Sequence, residues 1–328
     1  MMSVGRKGAS LEKGCEPAMA VVLEAPRRLG LRPLSLAEMG PADVAVAVDW
    51  TGVSTGTERL LWSGEMPPFP GMGYPLVPGY ESVGRVVAAG PEAGIAVGET
   101  VFTPGARCFS EARCLFGGAA SRLVTAAERV HPVPEGLGAE GALMALAATA
   151  YHALGGSIGV APSLIVGHGV LGRLLARIAT LMAGPPPVVW ETNPSRRDGA
   201  EGYQVLHPDE DPETAYGVVI DASGDAEILD RLIARLRPGG EIVLAGFYSR
   251  PLAFDFPPAF MREARIRVAA EWKPADLRAT ADLVARGRLS LGGLVTHHAP
   301  AADAADAYQA AFDDPACLKM MLDWRVSP

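Results

Sequence analysis

A chain of 328 residues is too long for one ordinary hydrophobic core and suits two domains. Hydrophobic residues make up 49% and charged ones 20%, and a net charge of −8 leaves nothing basic to offset the phosphates of a nucleic acid. The longest weakly polar stretch, 141–156, is too short to span a bilayer, so no membrane span is expected. Residues 1–17 are polar and glycine-containing, and read as a disordered leader rather than a secretory signal. Strand-like runs at 19–23, 43–49, 82–88, 100–103 and 120–125, punctuated by Gly and Pro, predict a mostly β domain. An alanine-rich segment at 140–154, containing Tyr151 and His152, predicts a buried helix. The pattern then changes to alternation: strand 164–166, helix 170–182, strands 188–191 and 217–221, helix 225–236, strands 241–246 and 266–270, helix 275–286. Such alternation predicts a doubly wound parallel sheet with helices on both faces. A helix at 303–312 and a strand near 318–322 end the chain. The expected division is a leader at 1–17, a substrate domain at 18–150 completed by 290–328, and a dinucleotide-binding domain at 151–289. The four cysteines, Cys15, Cys108, Cys114 and Cys317, show no disulfide framework, which points to a reducing cytoplasm.

The stretch SLIVGHGVLG at 163–172 reads as a dinucleotide fingerprint. Gly167 permits the tight turn, Gly169 admits a pyrophosphate to the backbone, and Gly172 lets the helix pack close to the sheet. Val170 and Leu171 open that helix, whose free N–H groups and dipole face phosphate oxygens. Arg173 and Arg177 fall off its apolar stripe and are expected in solvent. A second strand ends in Glu191, an acid at the distance that suits the ribose hydroxyls and repels a 2′-phosphate. The expected cofactor is therefore NAD, although Arg196 and Arg197, close behind, offer charge for a 2′-phosphate. His168, inside the loop, is expected to be structural.

The stretch PGYESVGRVVAAGPEAGIAVGETV at 78–101 resembles the signature of the medium-chain dehydrogenase/reductase family. The resemblance extends through Thr-Ala-Tyr-His-Ala-Leu at 149–154, Asp-Ala-Ser-Gly at 221–224 and Leu-Val-Thr-His at 294–297. It implies an α/β protein with a GroES-like, mostly β substrate domain and a Rossmann domain, and an active site between them. It implies further cofactor contacts from Thr149, Ser223 and Phe247, and pairing into a homodimer through the Rossmann domain, where 254–272 is rich in aromatic residues. Zinc-dependent members hold their metal through Cys, His-Glu and a second Cys. The matching positions here are Ser54, Tyr80 with Glu81, and Ala145, and hydroxyl, phenol and methyl groups cannot replace thiolate and imidazole. No metal is expected. Long blocks at 54–85, 115–124, 166–177 and 256–272 resemble one zinc-free branch of the family more closely. That branch implies a tetrapyrrole substrate, a bacteriochlorophyllide whose 3-(1-hydroxyethyl) group is oxidised to 3-acetyl, in the cytoplasm or at the edge of the photosynthetic membrane.

Oxidising a secondary alcohol without a metal requires hydrogen-bonding groups at the substrate oxygen and a route for its proton. The candidates are Glu81 as base, Tyr80 as donor, and Ser54 and Thr57 as a relay, with packed or turn-bonded roles as the alternatives. Glu58 reads as a solvated or salt-bridged acid. His152 faces the nicotinamide or is a satisfied helix histidine. Trp62, Met66, Phe69 and Tyr74, in the loop before Tyr80, are expected to line an apolar slot for the ring. Arg59, Arg107 or Arg122 is available to its carboxylate. Two other readings use the same residues: a zinc-free reductase of activated double bonds resembling quinone oxidoreductases, and a cofactor-binding protein without catalysis.

Overall fold

The computed structural model describes residues 17–155 and 161–326; the leader expected at 1–17 lies outside them, Pro17 apart. The first half comprises β1 (Ala18–Ala25), β2 (Arg28–Leu34), β3 (Asp43–Val53), α1 (Thr57–Ser63), β4 (Leu76–Val77), β5 (Ser82–Ala89), β6 (Thr100–Thr103), β7 (Arg113–Cys114), β8 (Arg122–Ala126) and β9 (His131–Pro132). α2 (Met144–Ala153) leads into β10 (Leu164–Val166), α3 (Val170–Ala179), β11 (Val188–Trp190), β12 (Gln204–Leu206), β13 (Tyr216–Asp221) and α4 (Leu229–Ala234). Then come β14 (Leu236–Leu244), α5 (Phe256–Met261), β15 (Arg265–Val268), α6 (Pro274–Ala285), β16 (His297–Pro300), α7 (Ala304–Asp313) and β17 (Met320–Asp323).

The second half is a six-stranded parallel sheet in the order β12-β11-β10-β13-β14-β15. The order reverses between β10 and β13, and a doubly wound sheet binds its ligand outside the strand ends at such a point. β10 is three apolar residues, all buried, as a strand covered on both faces requires. The first half is built of two sheets, β2-β1-β4-β7 and β16-β17-β3-β5-β6-β9, with β8 also on β3. β17 runs antiparallel to β3, pairing Leu322 with Thr51, so the tail returns to the sheet of the first half. One core cluster passes from Val83 and Phe102 through the alanines of α2 to Leu174 and Leu175 of α3, and so joins the halves.

Two expectations change. Arg173 and Arg177 are 4% and 8% exposed rather than solvated. Each has found carbonyls: Arg173 donates to the oxygens of His168 and Arg196, and Arg177 to those of Ser290 and Gly292. The helix expected at 225–236 shortens to α4, because Asp221, Ser223 and Asp225 hold the preceding residues in successive side-chain-capped turns.

Candidate active site

The glycine loop follows β10. Gly167 has φ +95°, and a Cβ there would come within 3.2 Å of Ser223 Cα, so the loop lies against the end of β13. A Cβ on Gly172 would fall 1.8 Å from the Gly167 carbonyl oxygen, which excludes any side chain. A Cβ on Gly169 would meet nothing within 4 Å, so this face of the loop is open beside the start of α3, where Val170 and Leu171 stand. Glu191, at the end of β11, accepts the His168 N–H on Oε2 (2.9 Å) and the Asn193 N–H on Oε1 (2.8 Å). Its remaining lone pairs suit a ribose diol. Open glycine backbone, a helix N-terminus and a held carboxylate fit a dinucleotide. Ser223 turns its hydroxyl to Asp221 Oδ1 (2.7 Å), so only its main chain faces the loop, while Phe247, beyond β14, keeps a 43% exposed ring. Thr149 donates to the Ala145 carbonyl within α2 and is half-buried. His152 is the satisfied helix histidine, its Nδ1 2.8 Å from Asp276 Oδ2.

In the first domain, Ser54 Oγ and Tyr80 Oη lie 2.8 Å apart, and the Thr57 N–H donates to Ser54 Oγ (3.3 Å). Tyr80 packs against the core cluster shared by the two halves. Its phenol is held neutral: burial pushes its pKa up, with the Glu81 charge reinforcing and the Ser54 and Thr57 hydroxyls opposing. Ser54 and Tyr80 are therefore two neutral hydroxyls in series, with the Thr57 hydroxyl a third at the phenol. Whichever donates to the other, the chain ends in one free O–H, a donor for negative charge developing on a substrate oxygen.

Glu81, expected as the base, does not have a free carboxylate. It is fully buried, and Lys319 Nζ donates to both its oxygens at 2.8 Å and to the Val53 carbonyl at 3.2 Å. This ion pair fixes the start of β5 behind Tyr80. Glu58 is not solvated either. It is fully buried at the start of α1, accepting the Tyr308 hydroxyl (2.5 Å) and the Ser54 N–H (3.2 Å). Its pKa is pushed up to about 7 by burial and by the Glu81 charge, against the Tyr308 and Ser54 hydrogen bonds and Lys319. A carboxyl whose folded pKa exceeds its unfolded one favours the fold in full below the unfolded value and loses that favour as pH rises through the folded one. The urea midpoint should thus fall between pH 5 and pH 8. Glu58→Gln should remove most of a drop on the order of 3 kcal/mol. An unchanged pH dependence in the variant would contradict this reading of Glu58.

The zinc ion of the zinc-dependent members that the sequence resembles does not fit these residues. Ser54 and Tyr80 present hydroxyls to each other, Ala145 is a buried methyl, and Glu81 is occupied by Lys319. Among the described residues no three His, Cys, Asp or Glu side chains converge.

The expected substrate slot also looks different in place. Met66 is buried with Leu23, Leu61, Leu76 and Leu115, and the Tyr74 hydroxyl donates to the Leu61 carbonyl. Trp62 packs on Phe312 (5.5 Å between rings) beneath Arg27. These three form a small core under the loop, and Phe69, 38% exposed, is the one that remains open. Phe116, absent from the sequence reading, packs on the same cluster and stands edge-on to Tyr80, with ring centroids 5.5 Å apart. Lys319 and Tyr308 were also missed. The one signal was a lone lysine inside an apolar tail.

This topology, a mostly β first half and a doubly wound parallel sheet with a glycine loop at its switch point, is that of the medium-chain dehydrogenases/reductases. Residues 40–135 match the alcohol dehydrogenase GroES-like domain. The 2-desacetyl-2-hydroxyethyl bacteriochlorophyllide A dehydrogenase of Rhodobacter capsulatus is 57% identical, over 93% of this chain and 98% of its own length. The fold is similar to that of a candidate zinc-binding dehydrogenase of Sinorhizobium meliloti bound to NADP (TM-score 0.78, 22% identity, 94% of this chain and 100% of that one). It is similar too to a short chain alcohol dehydrogenase of Escherichia coli complexed with NADH (TM-score 0.79, 19% identity, 94% and 100%). The chain belongs to the family of the bacteriochlorophyllide dehydrogenase, within the medium-chain dehydrogenases/reductases.

Proposed function

We propose that the protein oxidises the hydroxyethyl side chain of a bacteriochlorophyllide to acetyl, with NAD⁺ as oxidant and no metal. The carbinol carbon gives up a hydride and the hydroxyl a proton, so each turnover yields one acetyl pigment, one NADH and one H⁺. The 57% identity to a dehydrogenase named for this substrate carries the pigment, and the Ser54–Tyr80 contact of 2.8 Å carries the chemistry.

The nicotinamide ring, when bound, supplies the hydride acceptor. Ser54 and Tyr80 receive the substrate hydroxyl, and the free O–H of the pair steadies the oxygen as its proton passes to solvent water. Because the ketone formed is conjugated with the macrocycle, modest stabilisation and good positioning suffice. Thr57 holds Ser54 through its N–H, and the Glu81–Lys319 ion pair holds the strand behind Tyr80. Phe116, packed on Tyr80, and the exposed Phe69 of the loop before Tyr80 offer apolar surface to a flat ring. Glu191 supports NAD over NADP, and both nearby arginines are engaged elsewhere: Arg196 Nε donates to the Pro315 carbonyl and Arg197 Nε to that of Glu191, each at 3.0 Å. With hydroxyethyl bacteriochlorophyllide and NAD⁺, the long-wavelength pigment band should move red as NADH accumulates, at a rate unaffected by a chelator. Bound NADH without pigment turnover, or inactivation by the chelator, would contradict the proposal.

We also propose a homodimer joined at the edge of the Rossmann sheet. β15 is an edge strand, and Phe256 (67% exposed), Phe260 (65%), Met261 (75%) and Val268 (72%) beside and along it form an apolar surface that a second copy would cover. Sedimentation should give a dimer for the wild type and a monomer for Val268→Glu. A monomeric wild type would contradict it. No helix of the described residues is long and apolar enough to cross a membrane. The cytoplasm, or the periphery of the photosynthetic membrane, is the proposed location.

A further inference from the structure

We propose that His168 is a positioning residue for cofactor choice: its side chain clamps the arginine-bearing segment 193–199 so that both guanidinium groups stay on main-chain carbonyls, while its main chain holds the Glu191 carboxylate. The inference rests on the NAD reading above. Three hydrogen bonds define the clamp. The imidazole Nδ1–H donates to the Arg196 carbonyl at 2.6 Å, which leaves Nε2 to accept the Tyr203 hydroxyl at 2.9 Å. Arg173, 4% exposed, donates a second hydrogen bond to the same Arg196 carbonyl at 3.0 Å and one to the His168 carbonyl at 3.1 Å. The His168 N–H completes the circuit on Glu191 Oε2 at 2.9 Å.

The side chain of a loop residue in an open phosphate site has no need of such partners. Here the imidazole is fully buried, so its two nitrogens had to be satisfied, and both partners lie in the segment that follows β11. Burial, with Arg173 adding to it, pushes the imidazole pKa down to about 4 against the Arg196 carbonyl, Glu191 and Asp198. The ring is neutral across the physiological range, so the Nδ1–H donor is permanent and the clamp does not open with pH. With the Arg196 main chain held, the guanidinium groups of Arg196 and Arg197 are turned onto the carbonyls of Pro315 and Glu191. Freed from the clamp, the same groups are the natural partners of a 2′-phosphate.

Titrating wild type, His168→Ala, His168→Asn and Tyr203→Phe with NADH and with NADPH by calorimetry tests this, with thermal melting as the folding control. Wild type should bind NADH at least about 100-fold more tightly than NADPH, by two hydrogen-bond equivalents of discrimination. His168→Ala should cut that ratio by about tenfold or more. His168→Asn, which keeps an N–H for the Arg196 carbonyl, should restore most of it, and Tyr203→Phe should fall between. Equal weakening of both cofactors in His168→Ala, or failure of His168→Asn to restore the ratio, would overturn the inference. If His168→Ala does not fold, an unchanged ratio in Tyr203→Phe does the same. A wild type that prefers NADPH overturns the NAD reading instead.

Discussion

Lys319→Ala should cost about 3–5 kcal/mol of stability, the usual penalty for leaving one charge of a buried pair alone. Lys319 is 2% exposed and Glu81 not at all, and the ammonium spends its three hydrogens on Glu81 Oε1, Glu81 Oε2 and the Val53 carbonyl. Glu81 Oε2 is hemmed in as well, lying 2.5 Å from where a Cβ on Gly52 would stand. A second buried carboxyl, Glu58, lies close enough for the two to raise each other's energy when ionised. The damage therefore belongs to the stranded charge rather than to lost packing. Adding Glu81→Gln to Lys319→Met should recover at least half of the loss, measured as the urea midpoint at constant slope. A loss below about 1 kcal/mol in Lys319→Ala would mean that the pair is solvated in solution.

Tyr80→Phe should lower kcat by about 10²–10³-fold, the scale for removing one donor to a developing oxyanion. The ring keeps its edge-on contact with Phe116, so the fold should lose less than about 1.5 kcal/mol. Ser54→Ala should cause a loss of similar size, and the double variant should be little worse than either single one, since the two hydroxyls act in series. KM for the pigment should move far less than kcat, because the bond matters most once charge has developed. Steady-state kinetics at saturating NAD⁺ checks all three. A Tyr80→Phe enzyme within threefold of wild type would remove Tyr80 from the chemistry.

How far the sequence could be read depended on how local each constraint was. Gly167, Gly169 and Gly172 have their reasons within one turn of backbone, so the tight glycine loop was legible, as was the place of Glu191 just after the next strand. The alternation of strands and helices was legible for the same reason. β2, β4, β7, β9, β12 and β16 were not foreseen: β2 carries Gly30 and Pro33, which read as turn signals, and the others run only two to four residues, too short to show a periodicity. The buried polar cluster was hidden because its partners are remote: Lys319 meets Glu81 across 238 residues and Tyr308 meets Glu58 across 250. In sequence Glu58 stands beside Gly56 and Arg59 in a polar loop and looks solvated; only the returning tail buries it. Trp62, Met66 and Tyr74 illustrate a different limit. An aromatic cluster looks the same whether it lines a slot or fills a small core, and the Phe116 beside it came from a distant loop.

The most direct test follows the hydrogen itself. Hydroxyethyl bacteriochlorophyllide carrying deuterium on the carbinol carbon, incubated with the protein and NAD⁺, should give acetyl pigment and deuterium on the nicotinamide of the reduced cofactor, with none in solvent. Deuterium released to water, or NADH bound with the pigment unchanged, would contradict oxidation by hydride transfer at this site.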